Sequence, residues 1–433
     1  MGSVLPTYKS DKSATRIDIA LLVSALFLQR FSLPFGDTFL NLSLVAIGFI
    51  LLHEFLSGKL LIQYDRLLWF LALALAATSS LLLNFKSMML TGYFLFVVFY
   101  SLFTLYRPST SDQYKRTLQA FQFLVMLLSC LGVAQFFAQF VVDGTALQNF
   151  YWLLPDILTR SPAAWFANPR YFGNGILKST GMFLAEPSFL SQFTALGILI
   201  EVLEFRRPRC LLVMALGFLV AYSGTGLLLL LIFLPLAGLR HAKAGLAGLF
   251  VVLFMLGLFA TGIFDPSVFT SRVGEFDAPG SSGFARFVSP LWLAAKNFDT
   301  ASLQALLIGN GPGTTKTFGD LWYGGGQLAD WFKPFYEYGI IGSFIFCCFL
   351  ASCFRRLRCP GLVVAAIIFG FLFLQTPLTV AIALCTLSGS EPRRHGIDER
   401  ADTDHPSAPN RRRFDLWQPL PRSTPRAMSN EIL

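Results

Sequence analysis

Apolar stretches about as long as a bilayer is thick recur along nearly the whole chain. This limits the fold before any motif is considered. The stretches lie near 17–33, 38–56, 67–83, 89–106, 117–142, 188–204, 210–222, 226–239, 244–263, 337–354 and 361–387. A helix that crosses a membrane needs about 20 mostly apolar residues. The pattern predicts an all-α integral membrane protein, a polytopic bundle of about eleven helices (ten to twelve, because several runs are short or abut). Only 14% of the 433 residues are charged and 54% are hydrophobic, with a mean hydropathy of +0.59. A soluble domain carries about a quarter charged residues. The 46 phenylalanines fit a chain whose surface meets lipid.

The net charge of +9 does not describe a nucleic-acid-binding face, because much of it lies in short clusters between apolar runs. Lys9, Lys12 and Arg16; Lys59 and Arg66; Arg107, Lys115 and Arg116; Arg206, Arg207 and Arg209; Arg240 and Lys243; and Arg355, Arg356 and Arg358 all fall in connections of one parity. Lys and Arg mark the cytoplasmic side, so these six segments face the cytoplasm and two long loops, about 143–187 and 264–336, face outward. Loops of that length are functional or disordered. Their aromatics and lack of charge runs argue against disorder.

The basic N-terminus reads as the flank of an uncleaved first span, since no small-residue cleavage site follows. The seven cysteines show neither CxxC nor Cys/His metal spacing and read as apolar packing residues. Residues 1–387 form the membrane domain, and 388–433 a polar, disordered tail. With an odd number of spans that arginine-rich tail would lie outside, against the charge rule. The explanations are a count off by one, an appendage, or a reading-frame change after Leu387.

The outer loops hold the chemistry-bearing residues. Gly309-Asn310-Gly311-Pro312-Gly313-Thr314-Thr315-Lys316 suggests a P-loop but fails, because Thr315 stands where the glycine before the lysine is required. A nest of backbone amides for another phosphate and a tight turn leading into the next span both remain open. The stretch follows Ser271-Arg272, Gly280-Ser281-Ser282-Gly283 and Arg286. It precedes Tyr336-Glu337-Tyr338-Gly339-Ile340-Ile341-Gly342 at the start of a span. The first loop ends Ser179-Thr180-Gly181-Met182-Phe183-Leu184-Ala185-Glu186-Pro187-Ser188.

In this order, over about 165–345, these motifs resemble the Wzy-type polysaccharide polymerase and O-antigen ligase superfamily, most closely exopolysaccharide polymerases of the xanthan type. The resemblance implies a multi-pass protein of the bacterial inner membrane. Such a protein transfers a growing glycan from undecaprenyl pyrophosphate to a newly flipped lipid-linked repeat unit at the periplasmic face. It implies no cofactor or metal, no nucleic acid, and flippase and chain-length or export proteins as partners. Two departures matter. Ala329-Asp330-Trp331-Phe332-Lys333-Pro334-Phe335 lacks the histidine of the ligase branch, which favours polymerase. Tyr222-Ser223-Gly224-Thr225-Gly226 lacks an arginine that many members carry.

The chemistry implied needs fixed cations for a leaving pyrophosphate, and arginine's bidentate fork suits phosphate oxygens. Arg272 and Arg286 are the leading ligands, against a simpler role as headgroup anchors. Arg170, beside Tyr171 and Phe172, is a third cation for which anchoring is the plainer account. Glu186, at the start of a span, is the base for the acceptor hydroxyl, the orienter of an arginine, or a helix cap. Glu337 is a similar but weaker candidate. Lys316 and Lys333 add field or are solvated loop residues. Gln29 and Arg30 end the first span, where snorkelling is the simplest account. A transporter or flippase is the competing reading, but such folds often show matching broken helices in two halves, and none is visible here.

Overall fold

The computed structural model describes residues 12–35, 38–85, 89–142, 176–261, 274–279, 281, 283–315, 329–355, 357, 359–374 and 376–387. All of them belong to one contact unit, Met1–Glu391; the polar tail lies outside the described residues.

Among the described residues the chain is all-α apart from one short hairpin and one pair of two-residue strands. Helix α1 (Lys12–Phe27) leads into β1 (Ser32–Phe35) and β2 (Thr38–Asn41), which pair antiparallel. Asn41 then caps α2 (Leu42–Leu56), its side chain accepting from the Ser43 amide at 2.9 Å. Strand β3 (Leu61–Ile62) precedes α3 (Tyr64–Leu83) and α4 (Leu90–Ser101), and pairs with β4 (Leu105–Tyr106). Thr110 caps α5 (Ser111–Ala138). Next come α6 (Pro187–Ile200), α7 (Pro208–Val220), α8 (Gly224–Arg240) and α9 (Ala242–Ala260). Helices α10 (Ser289–Thr300), α11 (Leu303–Ile308), α12 (Phe332–Phe354), α13 (Gly361–Leu374) and α14 (Leu378–Leu387) complete the order.

Four of these helices are long and apolar enough to cross a membrane: α3, α5, α12, and α6 with the π-turn Glu201–Phe205 that extends it. Shorter apolar helices pack around them, and large side chains such as Phe49, Leu75, Leu231 and Leu246 remain exposed. These are the helices of a membrane protein.

Helix α6 is the hub, because every residue from Pro187 to Ile200 is buried. A helix enclosed by protein must satisfy its polar side chains locally. Gln192 donates to the Leu374 carbonyl at 3.0 Å and accepts from Thr376 at 2.9 Å. Helix α8 comes close enough for the Gly226 amide to donate to Ser191 Oγ at 2.9 Å. A Cβ at Gly226 would collide with Ser191, so the small residue permits the approach.

The structure corrects the reading of 361–387 as one span. Trp331 donates its amide to the Leu372 carbonyl, so α13 ends near the start of α12. The chain then reverses through Thr376–Pro377. Helix α14 runs back until the Arg107 amide donates to the Thr386 carbonyl and Cys385 Sγ reaches the Cys353 carbonyl. Apolar composition on both sides of the turn hid the reversal. Counted as one further pass, the reversal would remove the parity conflict stated for the tail. A reporter placed after Leu387 is therefore expected on the same side as one between Arg207 and Pro208; opposite sides in a protease-protection or tag-accessibility assay would contradict the reversal.

The basic residues of one parity do not all serve orientation. Arg107 is buried, pairs with Asp18 and lies 3.2 Å from Glu54, while Thr117 donates to Asp18 at 2.6 Å. Lys59 reaches Glu54 at 3.3 Å. Arg66, also buried, donates to the carbonyls of Phe103 and Leu105. These contacts join α1, α2, α3 and α5 with the β3–β4 strand pair.

Candidate functional site

At the opposite end from Arg107, the first turn of α6 presents Glu186. Pro187 occupies the first helical position, where its missing N–H removes no hydrogen bond. Glu186 is the N-cap residue by backbone position, yet its side chain makes no cap hydrogen bond. The carboxylate thus sits at the N-cap position without a cap hydrogen bond. It accepts instead from Ser188 Oγ at 2.8 Å and from Arg286 Nη2 at 3.5 Å. A carboxylate at the positive end of a helix is favoured by the helix dipole, and a neighbouring guanidinium adds to that.

Arg286 comes from the π-turn Phe284–Val288 that leads into α10. Its side chain is 5% exposed and that of Glu186 13%, so neither extends into solvent. The headgroup-anchor account of Arg286 requires an exposed tip, and burial against a carboxylate does not fit it. The two residues are 100 positions apart, one from the end of the first long loop and one from within the second.

Asp330 stands just before α12. Withdrawal from solvent pushes its carboxyl up to about 7, against the pull of Lys333 and Arg286. Sequence reasoning passed over it because an isolated Asp in an aromatic stretch carries no spacing signal. Lys333, one turn on, is exposed. Glu337 points elsewhere: it is buried and accepts from Thr315 Oγ1 at 2.8 Å.

The glycine-rich stretch resolves against a phosphate nest. Asn310 donates its amide to the Tyr336 carbonyl at 3.0 Å and Gly311 donates to the Glu337 carbonyl at 3.1 Å. Those amides brace the start of α12 rather than facing a ligand. Gly309 (φ +94°) and Gly339 (φ +69°) make the crossing possible, since a Cβ at either would strike the other segment's backbone. Gly339 also breaks α12, so its first turn is offset from the span that follows.

Arg30 does not snorkel, contrary to the sequence expectation. It is 1% exposed and donates to the Met182 carbonyl at 2.7 Å, and Gln29 is likewise buried. Arg170, Arg272 and Lys316 lie outside the described residues. The arginine-free turn Tyr222–Gly226 abuts the start of α6: Ser191 Oγ donates to the Ser223 carbonyl at 3.1 Å and Thr225 Oγ1 to the Ser188 carbonyl at 3.3 Å.

An apolar cavity of about 260 Å³ lies between α8 and α9, lined by residues such as Leu227, Leu234 and Met255, and carries no group able to do chemistry. The Glu186–Arg286 pair with Asp330 and Lys333 is the better candidate. The arrangement offers a held cation, a carboxylate that orients it, a second carboxylate that titrates near neutrality, and the amino end of a buried helix. No family model matches the chain, and neither does any curated protein or solved structure compared with it.

Proposed function

We propose that the chain is a membrane glycosyltransferase of the polysaccharide-polymerase type. It joins undecaprenyl-pyrophosphate-linked oligosaccharide repeat units at the periplasmic face of the bacterial inner membrane. The observation that carries this reading is the meeting of Glu186 and Arg286, from two distant loops, beside Asp330 and Lys333. If the α13–α14 reversal adds one pass to the count, the charge rule is met by the basic tail as well as by the basic connections, which supports the reading.

In this reading the acceptor hydroxyl oxygen bonds to the anomeric carbon of the donor as the bond from that carbon to the pyrophosphate oxygen breaks. The bonding pair leaves with the pyrophosphate. Arg286 meets the developing charge through its fork, and the amino end of α6 adds positive field. Glu186 fixes the guanidinium plane. Asp330 takes the hydroxyl proton, because a base is most effective when its pKa lies near the working pH. Arg170, Arg272 and Lys316 supply further cations, and Lys333 strengthens the field. Flippase and chain-length or export proteins are the partners such a step requires.

The test is purified protein in vesicles with lipid-linked repeat units, EDTA present and no nucleotide. A ladder of polymer is expected, because the donor carries its own leaving group. Below about pH 7 Asp330 is protonated and cannot accept a proton, so the rate should rise between pH 6 and 8. Asp330→Asn should slow it about 10²-fold and flatten that rise. Units left single by the wild-type protein under these conditions would sink the reading, as would movement of units across the bilayer without joining.

A further inference from the structure

The ten residues before α6 are bound more tightly than a connection needs. Gly181 (φ +65°) and Met182 (φ +65°) form a left-handed turn four residues before Glu186. Glycine adopts that conformation freely, whereas methionine does so only when its surroundings impose it. Here two side chains from separate parts of the chain hold the turn. Arg30, just beyond the end of α1, donates to the Met182 carbonyl at 2.7 Å. Gln135, near the end of α5, accepts through one oxygen from Ser179 Oγ at 2.9 Å, the Thr180 amide at 3.0 Å and the Met182 amide at 3.3 Å. Phe27 packs its ring 5.1 Å from that of Phe183. Behind the turn, a Cβ on Gly181 would press on the Leu128 carbonyl and the Leu190 side chain, so the backbone has no room to move back.

We propose that Arg30 and Gln135 are positioning residues that clamp the Gly181–Met182 turn through the carbonyl and the amide of Met182 and so fix Glu186 against Arg286. The proposal rests on the assignment of the Glu186–Arg286 pair as the reaction site. Burying an arginine is costly unless it is bound, and Arg30 is bound to the Met182 carbonyl. Its location explains the choice: the carbonyl it grips belongs to the residue held in the left-handed conformation. Without the guanidinium the turn can relax to an extended backbone, and Glu186 then moves with the segment. Neither side chain touches a reacting atom in this account.

The experiment uses full-length purified protein and reads two properties. Hydrogen exchange over residues 179–186 is compared with exchange over α3, which serves as the folding control. In Arg30→Met, exchange in 179–186 should rise at least about tenfold while α3 stays protected. With lipid-linked repeat units, kcat should fall about 10- to 100-fold with KM within about threefold, as expected of displaced groups. Arg30→Lys, which keeps a donor, should recover most of both. Gln135→Leu should repeat the signature of Arg30→Met and decides the matter if that variant loses protection throughout. Unchanged exchange over 179–186 in Arg30→Met and Gln135→Leu would overturn the clamp. Faster exchange with an unchanged kcat would overturn the positioning role. A wild-type protein that makes no polymer would remove the functional reading on its own, while the exchange data would still decide whether the clamp exists.

Discussion

Arg286→Lys is expected to lose about 10²- to 10³-fold in polymer-forming turnover, although the charge is kept. Removing a single well-placed donor to a developing anion has effects of that order. The guanidinium offers two parallel N–H groups in a fixed plane, and an ammonium offers a point charge on a flexible stem. The geometry here depends on that plane. Glu186 lies 3.5 Å from one terminal nitrogen of a guanidinium carried by a π-turn. The change should appear in kcat more than in KM, because the charge that Arg286 meets develops only as the pyrophosphate leaves. Lys333→Gln, at an exposed position, should change the rate only a few-fold. Polymer of normal length and yield from Arg286→Lys, at normal protein abundance, would reduce Arg286 to a loop anchor.

Arg107→Leu is expected to have the largest effect on stability, at the other end of the molecule. Its side chain and those of Asp18 and Glu54 are each 2% exposed. Removing the cation leaves two carboxylates facing each other away from water. Breaking a buried pair on one side costs about 3–5 kcal/mol, because the partner's charge is left uncompensated. Lys59 reaches Glu54 but not Asp18 among the described contacts, so it relieves half the problem at most. Combining Arg107→Leu with Asp18→Asn and Glu54→Gln should recover much of the loss, since neutral amides tolerate burial where charges do not. Thermal unfolding in detergent measures this directly. An Arg107→Leu protein that melts within a degree or two of wild type would mean that water reaches the cluster.

How much the sequence reveals depends on the range of the interaction. The membrane class follows from composition and the length of the apolar runs, because each span satisfies its own backbone hydrogen bonds. That is local physics, and α3, α5 and α12 lie where the runs put them. Glu186 and Arg286 were separately legible as a buried-depth carboxylate and a loop arginine. Their meeting across 100 residues was not, because nothing local encodes which part of one loop folds onto the other.

The reversal at Thr376–Pro377 escaped the sequence because hydropathy is blind to direction: α13 and α14 are both apolar, and their contacts with Trp331 and Arg107 separate them. Asp330 was missed since its raised pKa is a property of its surroundings. Arg66 and Arg107 looked like surface charges that mark the cytoplasm, and Arg30 like a snorkelling anchor. Arginine's stem can carry the charge out to water or fold it inward onto carbonyls and carboxylates. Which happens depends on whether acceptors from other helices wait there. For Arg30 that acceptor is Met182, and only the packed bundle brings the two together.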